Sequence, residues 1–167
     1  MESKRVSDST VIMAQLMNPQ DTNPAGNVHG GVIMRLIDTA AGAVAVRHAR
    51  SNVVTASIDR LDFIRPAFIG DLVTLKASLN YVGRTSVEIG VRVEAENLLT
   101  GDVRHTASAY LSFVALDRNG RPMEVPPLIL ESDDDIRRHE EARARREMRI
   151  NLRYAPPRPV NSTQWQG

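Results

Sequence analysis

A single aspartate, Asp38, stands within the mostly apolar stretch NVHGGVIMRLIDTAAGAVAV, which runs from Asn27 to Val46. If this stretch is a helix, its near neighbours are Met34, Ala41, Gly42 and Ala45. Apolar surroundings disfavour a charged carboxylate and can turn it into a group that handles water. Two interpretations stay open at this point. Asp38 is a catalytic acid held in an apolar pocket, or a structural acid that is hydrogen-bonded in the core or reaches its rim.

Two glycines, Gly30 and Gly31, would place bare backbone at the N-terminus of that helix. Free N–H groups and the helix dipole favour a negatively charged oxygen there, and the oxyanion that develops from an ester or thioester carbonyl would fit. Asn23 and Asn27 precede the glycines and could orient water or polarise a carbonyl, or simply close an Asx turn. His29 adds a side chain that exchanges protons near neutral pH.

Composition excludes most other hydrolytic chemistry. The chain has no cysteine, which rules out thiol catalysis, disulfides and thiolate metal sites, and no G-x-S-x-G sequence occurs. We predict no metal site and no cofactor, because no metal-ligand spacing joins the histidines His29, His48, His105 and His139. Water activated by a carboxylate is the simple hydrolytic chemistry that remains.

The overall composition is that of an ordinary globular domain. Of 167 residues, 42% are hydrophobic and 25% are charged, which suffices for one substantial core. A net charge of +1, from 21 basic and 20 acidic residues, gives no field that attracts nucleic acid or an anionic membrane, so we expect neither as a partner. We recognise no targeting segment and no membrane-spanning run, and the lack of cysteine suits a reducing compartment. The sequence therefore predicts a soluble cytoplasmic protein.

Apolar periodicity predicts a sheet around one long helix. The helix runs from about Gly31 to Arg50, with apolar residues at three- and four-residue spacing. The predicted strands are Thr10–Met17, Val53–Ile64, Leu72–Tyr81, Val87–Ala95 and Val103–Leu116. Short links between consecutive strands favour an antiparallel meander, so the predicted fold class is α+β. A helix that is apolar nearly all round must be covered by other parts of the structure rather than lie on a surface. The open edges of the sheet predict self-association.

The C-terminal part has a different character. Ser132 can cap a helix that has three aspartates in its first turn and many arginines in later turns, an order that complements the helix dipole. We interpret the arginines as a solvated or oligomer-packing face rather than an anion-binding surface. The predicted organisation is a domain over residues 1–130, a charged helix over 131–153 and a disordered tail over 154–167.

The segment DTNPAGNVHGGVIMRLIDTAAGAVAVRHA, from Asp21 to Ala49, resembles the signature of hotdog-fold acyl-CoA thioesterases, specifically the cytosolic acyl-CoA hydrolase group. That group includes short single-domain bacterial enzymes and the brain-type long-chain acyl-CoA hydrolase of animals. Further matching segments are VVTASIDRLDFIRPAFIGDLV, GRTSVEIGVRVEAENLLTG, ASAYLSFVALDRNGRP and EVPPL. The resemblance extends over residues 10 to 130 without a large gap.

The resemblance implies a long central helix wrapped by a curved antiparallel sheet, with two chains paired as a double-hotdog homodimer and often three such pairs in a hexamer. It implies hydrolysis of acyl-CoA to a free fatty acid and CoA, a reaction of fatty acid metabolism in which CoA belongs to the substrate and product. The active site would lie at the dimer interface. There the family's catalytic acid matches Asp38 and its catalytic asparagine matches Asn23, contributed by opposite units.

Roles for the individual residues follow from that match. Asp38 would act as a general base on water or attack the thioester directly, and Asn23 would position the water or the carbonyl. The N–H of Gly31 would stabilise the oxyanion. The expected supporting residues are Asn27, His29 and Gly30. The segment that meets the CoA nucleotide in relatives resembles Arg84, Thr85 and Ser86, and an arginine there can pair with a phosphate.

Two other functions stay open from the sequence. A hotdog dehydratase or hydratase would use His29 together with an acid, although that family's own motif does not surround His29. A non-catalytic acyl-CoA-binding protein is the second, although such sensors usually lack the catalytic acid and carry a DNA-binding module. The preferred acyl chain length depends on tunnel side chains such as Met13 and Met34 and is not fixed by the sequence.

Overall fold

The computed structural model describes residues 1–154, with side chains to Leu152. Its elements are β1 (Lys4–Arg5), β2 (Val11–Leu16), α1 (Gly30–Ala49), β3 (Asn52–Phe63), β4 (Asp71–Val82), β5 (Ser86–Asn97), β6 (Val103–Leu116), β7 (Leu128–Ile129) and α2 (Asp133–Tyr154). The predicted helices and strands are confirmed, each end of α1 and β2–β6 lying within two residues of its expected position. Apart from Tyr154, the tail predicted to be disordered lies outside the described residues.

One antiparallel sheet with strand order β2-β4-β5-β6-β3 forms the body of the domain. The meander β4-β5-β6 follows from the short turns, and β2 and β3 extend it on either side by pairing with β4 and β6. The long helix α1 packs across one face of this sheet. This is the α+β hotdog arrangement, so the fold expected from the sequence is confirmed.

Strand alternation decides which residues form the core. Inward-facing residues of β4, β5 and β6 are fully or almost fully buried against α1, among them Leu75, Ile89 and Leu111. From α1 itself, Ile33, Ile37 and other residues at three- and four-residue spacing complete the core. The opposite face of the sheet carries polar residues and is partly covered by α2. The core is thus one layer thick, between helix and sheet.

In the single chain, the sheet covers only one side of α1. Its buried residues lie on one face, whereas Met34, Asp38 and Val46 are exposed on another. The reason is geometric, since a five-stranded sheet reaches only part of the way around a helix. Nearly half of the Met34 and Val46 surface is open, at 42% and 47%. An exposed apolar helix face of this kind marks an interaction surface.

The N-terminus holds a small feature that periodicity did not predict. β1 and β7 form a two-residue parallel pair, too short to give a sequence pattern. The N-terminal segment that contains β1 is bonded to the end of α1. The Lys4 ammonium donates to the carbonyl of His48, and Arg47 donates to the carbonyl of Thr10. The chain ends of the domain are therefore tied to its central helix.

The second helix, α2, lies on the outer face of the sheet. Ser132 caps it as predicted: its hydroxyl accepts from the Asp135 N–H at 3.1 Å, and the Asp135 carboxylate accepts from the Ser132 N–H at 3.2 Å. The interpretation of its arginines as a solvated or oligomer-packing face is wrong for two of them. Arg145 forms an ion pair with the buried Glu88, and Arg149 with Asp59. No helix of the described chain is both long and apolar enough to span a membrane.

Candidate active site

The loop that carries Asn23 is closed by the asparagine side chain itself. Its Oδ1 accepts hydrogen bonds from the N–H groups of Ala25 at 3.0 Å and Asn27 at 3.1 Å. These bonds use only Oδ1, and the amide Nδ2, a donor, makes no hydrogen bond to the described residues. The Asx turn and the polarising role, which the sequence offered as alternatives, are therefore compatible in one side chain.

The same loop is attached to the turn that precedes β4. Asn27 forms an antiparallel bridge with Phe68, flanked by bonds from Val28 N–H to the Ala67 carbonyl and from Ile69 N–H to the Gly26 carbonyl, both 2.9 Å. Gly26 adopts φ +84°, a conformation that few residues other than glycine take up easily. Asn27 thus supports the loop through its backbone.

Gly30 and Gly31 begin α1 as predicted. The first amides bonded within the helix are those of Val32 and Ile33, which both donate to the His29 carbonyl. The amides of the two glycines point out of the helix end, where an anionic oxygen is favoured. A Cβ added to Gly31 would meet no side chain within 4 Å, so the space beside this residue is open, whereas a Cβ on Gly30 would lie 3.4 Å from the Phe63 ring.

Asp38 lies at the middle of α1, and its carboxylate is exposed in the single chain. The predicted apolar burial of Asp38 is wrong for this reason: Ala41 and Ala45 face the sheet and are fully buried, while Asp38 projects from the uncovered side. The side chain is nevertheless held in place. The hydroxyl of Thr55 donates a hydrogen bond of 2.8 Å to its Oδ1.

Thr55 is the residue that sequence reasoning missed. It lies on the edge strand β3, pairs with Phe113 and therefore faces the helix side of the sheet. Its neighbours VVTASID resemble any other alternating strand, so the sequence contains no signal that singles it out. Its hydroxyl meets the Asp38 carboxylate only because of the way β3 and α1 pack against each other.

Within one chain the predicted site residues fall into two groups. Asn23, Asn27, His29, Gly30 and Gly31 cluster at the N-terminal end of α1, beside the end of β3. Asp38 lies seven residues further on, roughly 10 Å along the helix axis at 1.5 Å per residue. Groups that act on one carbonyl must each approach it to about 3 Å. The glycine amide and the carboxylate of one chain therefore cannot serve the same carbonyl.

The turn between β4 and β5 carries Arg84 and Thr85, and Ser86 begins β5. Ser86 accepts from the Gly83 N–H and Thr85 from the Ala115 N–H through their carbonyls, which fixes the turn. Val87 pairs with Phe113 and Phe113 with Thr55, so the turn lies at the same end of the sheet as Thr55, two strands or roughly 10 Å across. Arg84 is exposed, and its guanidinium forms no ion pair with the described side chains.

His29 is exposed, and its ring makes no hydrogen bond to the described residues. The backbone of His29, in contrast, forms hydrogen bonds: its N–H donates to the Asp21 carbonyl, and its carbonyl accepts from the first amides of α1. Within residues 1–154 no three histidine, aspartate or glutamate side chains are grouped to hold a metal ion.

Comparisons with known proteins place this arrangement in a family. The thioesterase superfamily model matches residues 25–101. The uncharacterized acyl-CoA thioester hydrolase YkhA of Bacillus subtilis is 38% identical over 150 residues, which are 90% of this chain and 87% of that protein. The cytosolic acyl coenzyme A thioester hydrolase of Mus musculus is 37% identical over 86% of this chain, which spans only 38% of the mouse protein.

Solved structures that are similar to this chain belong to the same class of protein. An apo-hexameric acyl-CoA thioesterase superimposes with a TM-score of 0.89 at 39% identity, covering 93% of this chain and all of that one. The Staphylococcus aureus acyl-CoA hydrolase, in complex with butyryl coenzyme A, coenzyme A and coenzyme A disulfide, gives a TM-score of 0.84 at 35% identity, covering 90% of this chain and 92% of that chain. A helix on a five-stranded antiparallel sheet, with an acid on the exposed helix face, defines a hotdog-fold protein of the thioesterase class. This chain belongs to the thioesterase superfamily.

Proposed function

We propose that this protein is an acyl-CoA thioester hydrolase, which releases a free fatty acid and CoA at sites shared between two subunits. One observation carries the assignment. The S. aureus acyl-CoA hydrolase has been made as alanine mutants of an asparagine, an aspartate and a threonine spaced fifteen and seventeen residues apart. Asn23, Asp38 and Thr55 have the same residue types and the same two spacings.

The chemistry follows from these side chains. The Asp38 carboxylate takes a proton from water, and the water oxygen attacks the thioester carbonyl carbon. The resulting oxyanion accepts a hydrogen bond from the Gly31 N–H, and the Asn23 amide orients the carbonyl or the water. The C–S bond then breaks, and the departing CoA sulfur takes the proton from Asp38. Direct attack by Asp38 would instead form an acyl anhydride that water must hydrolyse.

Two subunits are needed because Gly31 and Asp38 of one chain lie too far apart to share a carbonyl. In a staggered antiparallel pair of α1 helices, with the two-fold axis passing between residues 34 and 35, the N-terminal end of one helix lies beside the middle of the other. The loop with Asn23 from one subunit would then meet Asp38 and Thr55 of its partner. A homodimer holds two such sites, related by the two-fold axis.

The surface around Asp38 supports this pairing. On β3, an edge strand, Ile58 and Phe63 are 44% and 51% exposed. They pair with the buried Leu111 and Ala107, so they lie on the helix side of the sheet and continue the open apolar face of α1. A long apolar edge strand is a template for pairing with another chain. Joining two β3 edges would make a continuous ten-stranded sheet from the two five-stranded ones and cover both helices.

A trimer of such dimers is the assembly we propose in solution, on the strength of the hexameric thioesterases among the similar structures. We also propose a cytoplasmic location, since the mouse relative is named cytosolic. Arg84, Thr85 and Ser86 are the proposed CoA-nucleotide contacts. The exposed guanidinium of Arg84 is free to pair with a phosphate.

The test is release of free thiol from purified protein over acyl-CoA substrates of graded chain length. Asp38→Asn and Asn23→Ala should each lower kcat by about 100-fold or more while thermal stability stays within the range of wild type. Full turnover by either variant would refute the site, and no thiol release by the wild-type protein would refute the function. After a single turnover in H₂¹⁸O, label in the Asp38 carboxylate would demonstrate direct attack by Asp38, with the anhydride opened by water at the aspartyl carbonyl.

The alternatives give different products in the same assay. A dehydratase or hydratase would add or remove water on an enoyl thioester without releasing thiol. A non-catalytic acyl-CoA-binding protein would bind the substrate and leave it intact. The dehydratase or hydratase gains no support from the described residues, because the exposed ring of His29 has no acidic partner among them.

A further inference from the structure

Two hydrogen bonds of Asp71, its last residue, close the tight turn Phe68–Asp71. The Asp71 N–H donates to the Phe68 carbonyl at 3.1 Å, and the Asp71 carboxylate accepts from the Phe68 N–H at 2.8 Å. Gly70 adopts φ +84°, which such a turn requires at its third position. The conformation of the turn therefore depends on the Asp71 side chain as well as on the backbone.

This turn anchors both ends of the segment that carries Asn23. At the start of the segment, Met17 exchanges bonds with it, from Gly70 N–H to the Met17 carbonyl and from Met17 N–H to the Asp71 carbonyl, both 2.9 Å. At the other end, the bridge between Asn27 and Phe68 fixes the residues that follow Asn23. A shift of the turn would shift Asn23.

Behind the turn lies a buried ion pair. Asp71 is 3% exposed, and its Oδ2 accepts a hydrogen bond from Nη2 of Arg104, whose side chain is 15% exposed. The guanidinium also lies over the Phe68 ring, 5.3 Å from its centre, so Arg104 contacts both ends of the turn. Removal of Arg104 would leave a buried carboxylate without its countercharge, and such a group draws in water or moves outward.

We propose that Arg104 and Asp71 are positioning residues for thioester hydrolysis, which hold the Asn23 loop in its working geometry. The inference rests on the function proposed above. Arg104 lies on β6 and acts through the turn rather than by touching the reacting atoms. Because a displacement of about 1 Å in a positioned group can cost 100-fold in rate, a loosened turn should lower kcat far more than it raises KM.

The experiment compares Arg104→Met and Arg104→Lys in the full-length chain, each with Asn23 intact and with Asn23→Ala. With Asn23 present, Arg104→Met should lower kcat roughly 10- to 100-fold with little change in KM, and Arg104→Lys should restore part of it. With Asn23 absent, Arg104→Met should cause no further loss, because there is nothing left to position.

Arg145→Met is the matched control, since it removes a comparably buried ion-pair partner on the other face of the sheet. It should lower thermal stability as Arg104→Met does and leave kcat unchanged. Equal losses of kcat from Arg104→Met with and without Asn23, or no loss at all, would overturn the positioning role. A wild-type protein that releases no thiol would instead refute the proposed function, so the two failures are distinct.

Discussion

The Thr55 hydroxyl donates a hydrogen bond of 2.8 Å to Oδ1 of Asp38, and this bond joins the edge strand β3 to the exposed face of α1. A carboxylate on an uncovered helix face would otherwise sample several rotamers. The bond occupies one oxygen and, within the described chain, leaves the second without a hydrogen-bond donor. Under the proposed mechanism, that second oxygen would receive the proton from water.

Thr55→Val should lower kcat about tenfold or more, because it removes the hydroxyl that orients Asp38 while keeping the shape of the side chain. Thr55→Ser keeps the hydroxyl and should retain most of the activity. Steady-state thiol release measures both variants, with thermal unfolding as the control for folding. Equal activity of the valine and serine variants would show that the bond has no catalytic role.

Mixing two inactive variants tests whether each site is shared between subunits. After unfolding and refolding together, Asn23→Ala and Asp38→Ala chains should regain about a quarter of wild-type activity. Half of the dimers are then hybrids, and each hybrid holds one intact site out of two. No recovery in hybrids confirmed by mass would mean that both residues act within one chain.

Most of the fold could be predicted from the sequence because its elements are long and strictly periodic. Leu75 and Ile89 alternate with polar residues over twelve-residue strands, and such a pattern fits only one face of a sheet. The pair β1 and β7 could not be predicted, since two residues give no period. The ion pair between Arg145 and Glu88 was missed because sequence cannot tell which face of a charged helix meets a sheet.

The sequence suggests the residue types of the candidate site but not their environment. Asp38 has apolar neighbours in sequence, yet those neighbours turn to the sheet, and the side chain is exposed until another surface covers it. Under the proposed pairing, the partner subunit would bury the acid, and no pattern within one chain predicts that surface. Thr55 was missed because its bond to Asp38 depends on how β3 packs against α1, which the periodicity of neither element determines.

Stability should decrease as the pH falls below about 6.5, because of His48. The ring is fully buried, with Nε2 bonded to the Pro126 carbonyl at 2.8 Å and Nδ1 3.3 Å from the Ser9 hydroxyl. Burial lowers the pKa of His48 below 6.5; Lys4 lowers it further, while the Pro126 bond and Asp8 oppose the shift. Below pH 6.5 the unfolded chain takes up a proton that the folded chain resists, which favours unfolding.

Thermal unfolding between pH 7.5 and pH 5 measures this effect, and His48→Gln should flatten the curve in that range. Glu94 provides the internal control. Hydrogen bonds from Arg92 and Lys76 lower the pKa of Glu94 from 4.5, so its contribution is present above that value and is lost only at lower pH. A wild-type unfolding temperature that stays constant from pH 7.5 to pH 5 would contradict the assignment to His48.

The attachment of α2 should depend strongly on the ion pair between Arg145 and Glu88. The Glu88 side chain is 2% exposed, and Arg145 donates to it at 2.7 Å while lying 3.7 Å from the centre of the Tyr110 ring. Arg145→Met should cost about 3–5 kcal/mol, because it leaves a buried carboxylate unpaired. Arg143→Met removes an exposed pair with Glu147 and should cost less than about 1 kcal/mol. Denaturant unfolding measures the difference, and equal costs would mean that Glu88 finds another partner or water.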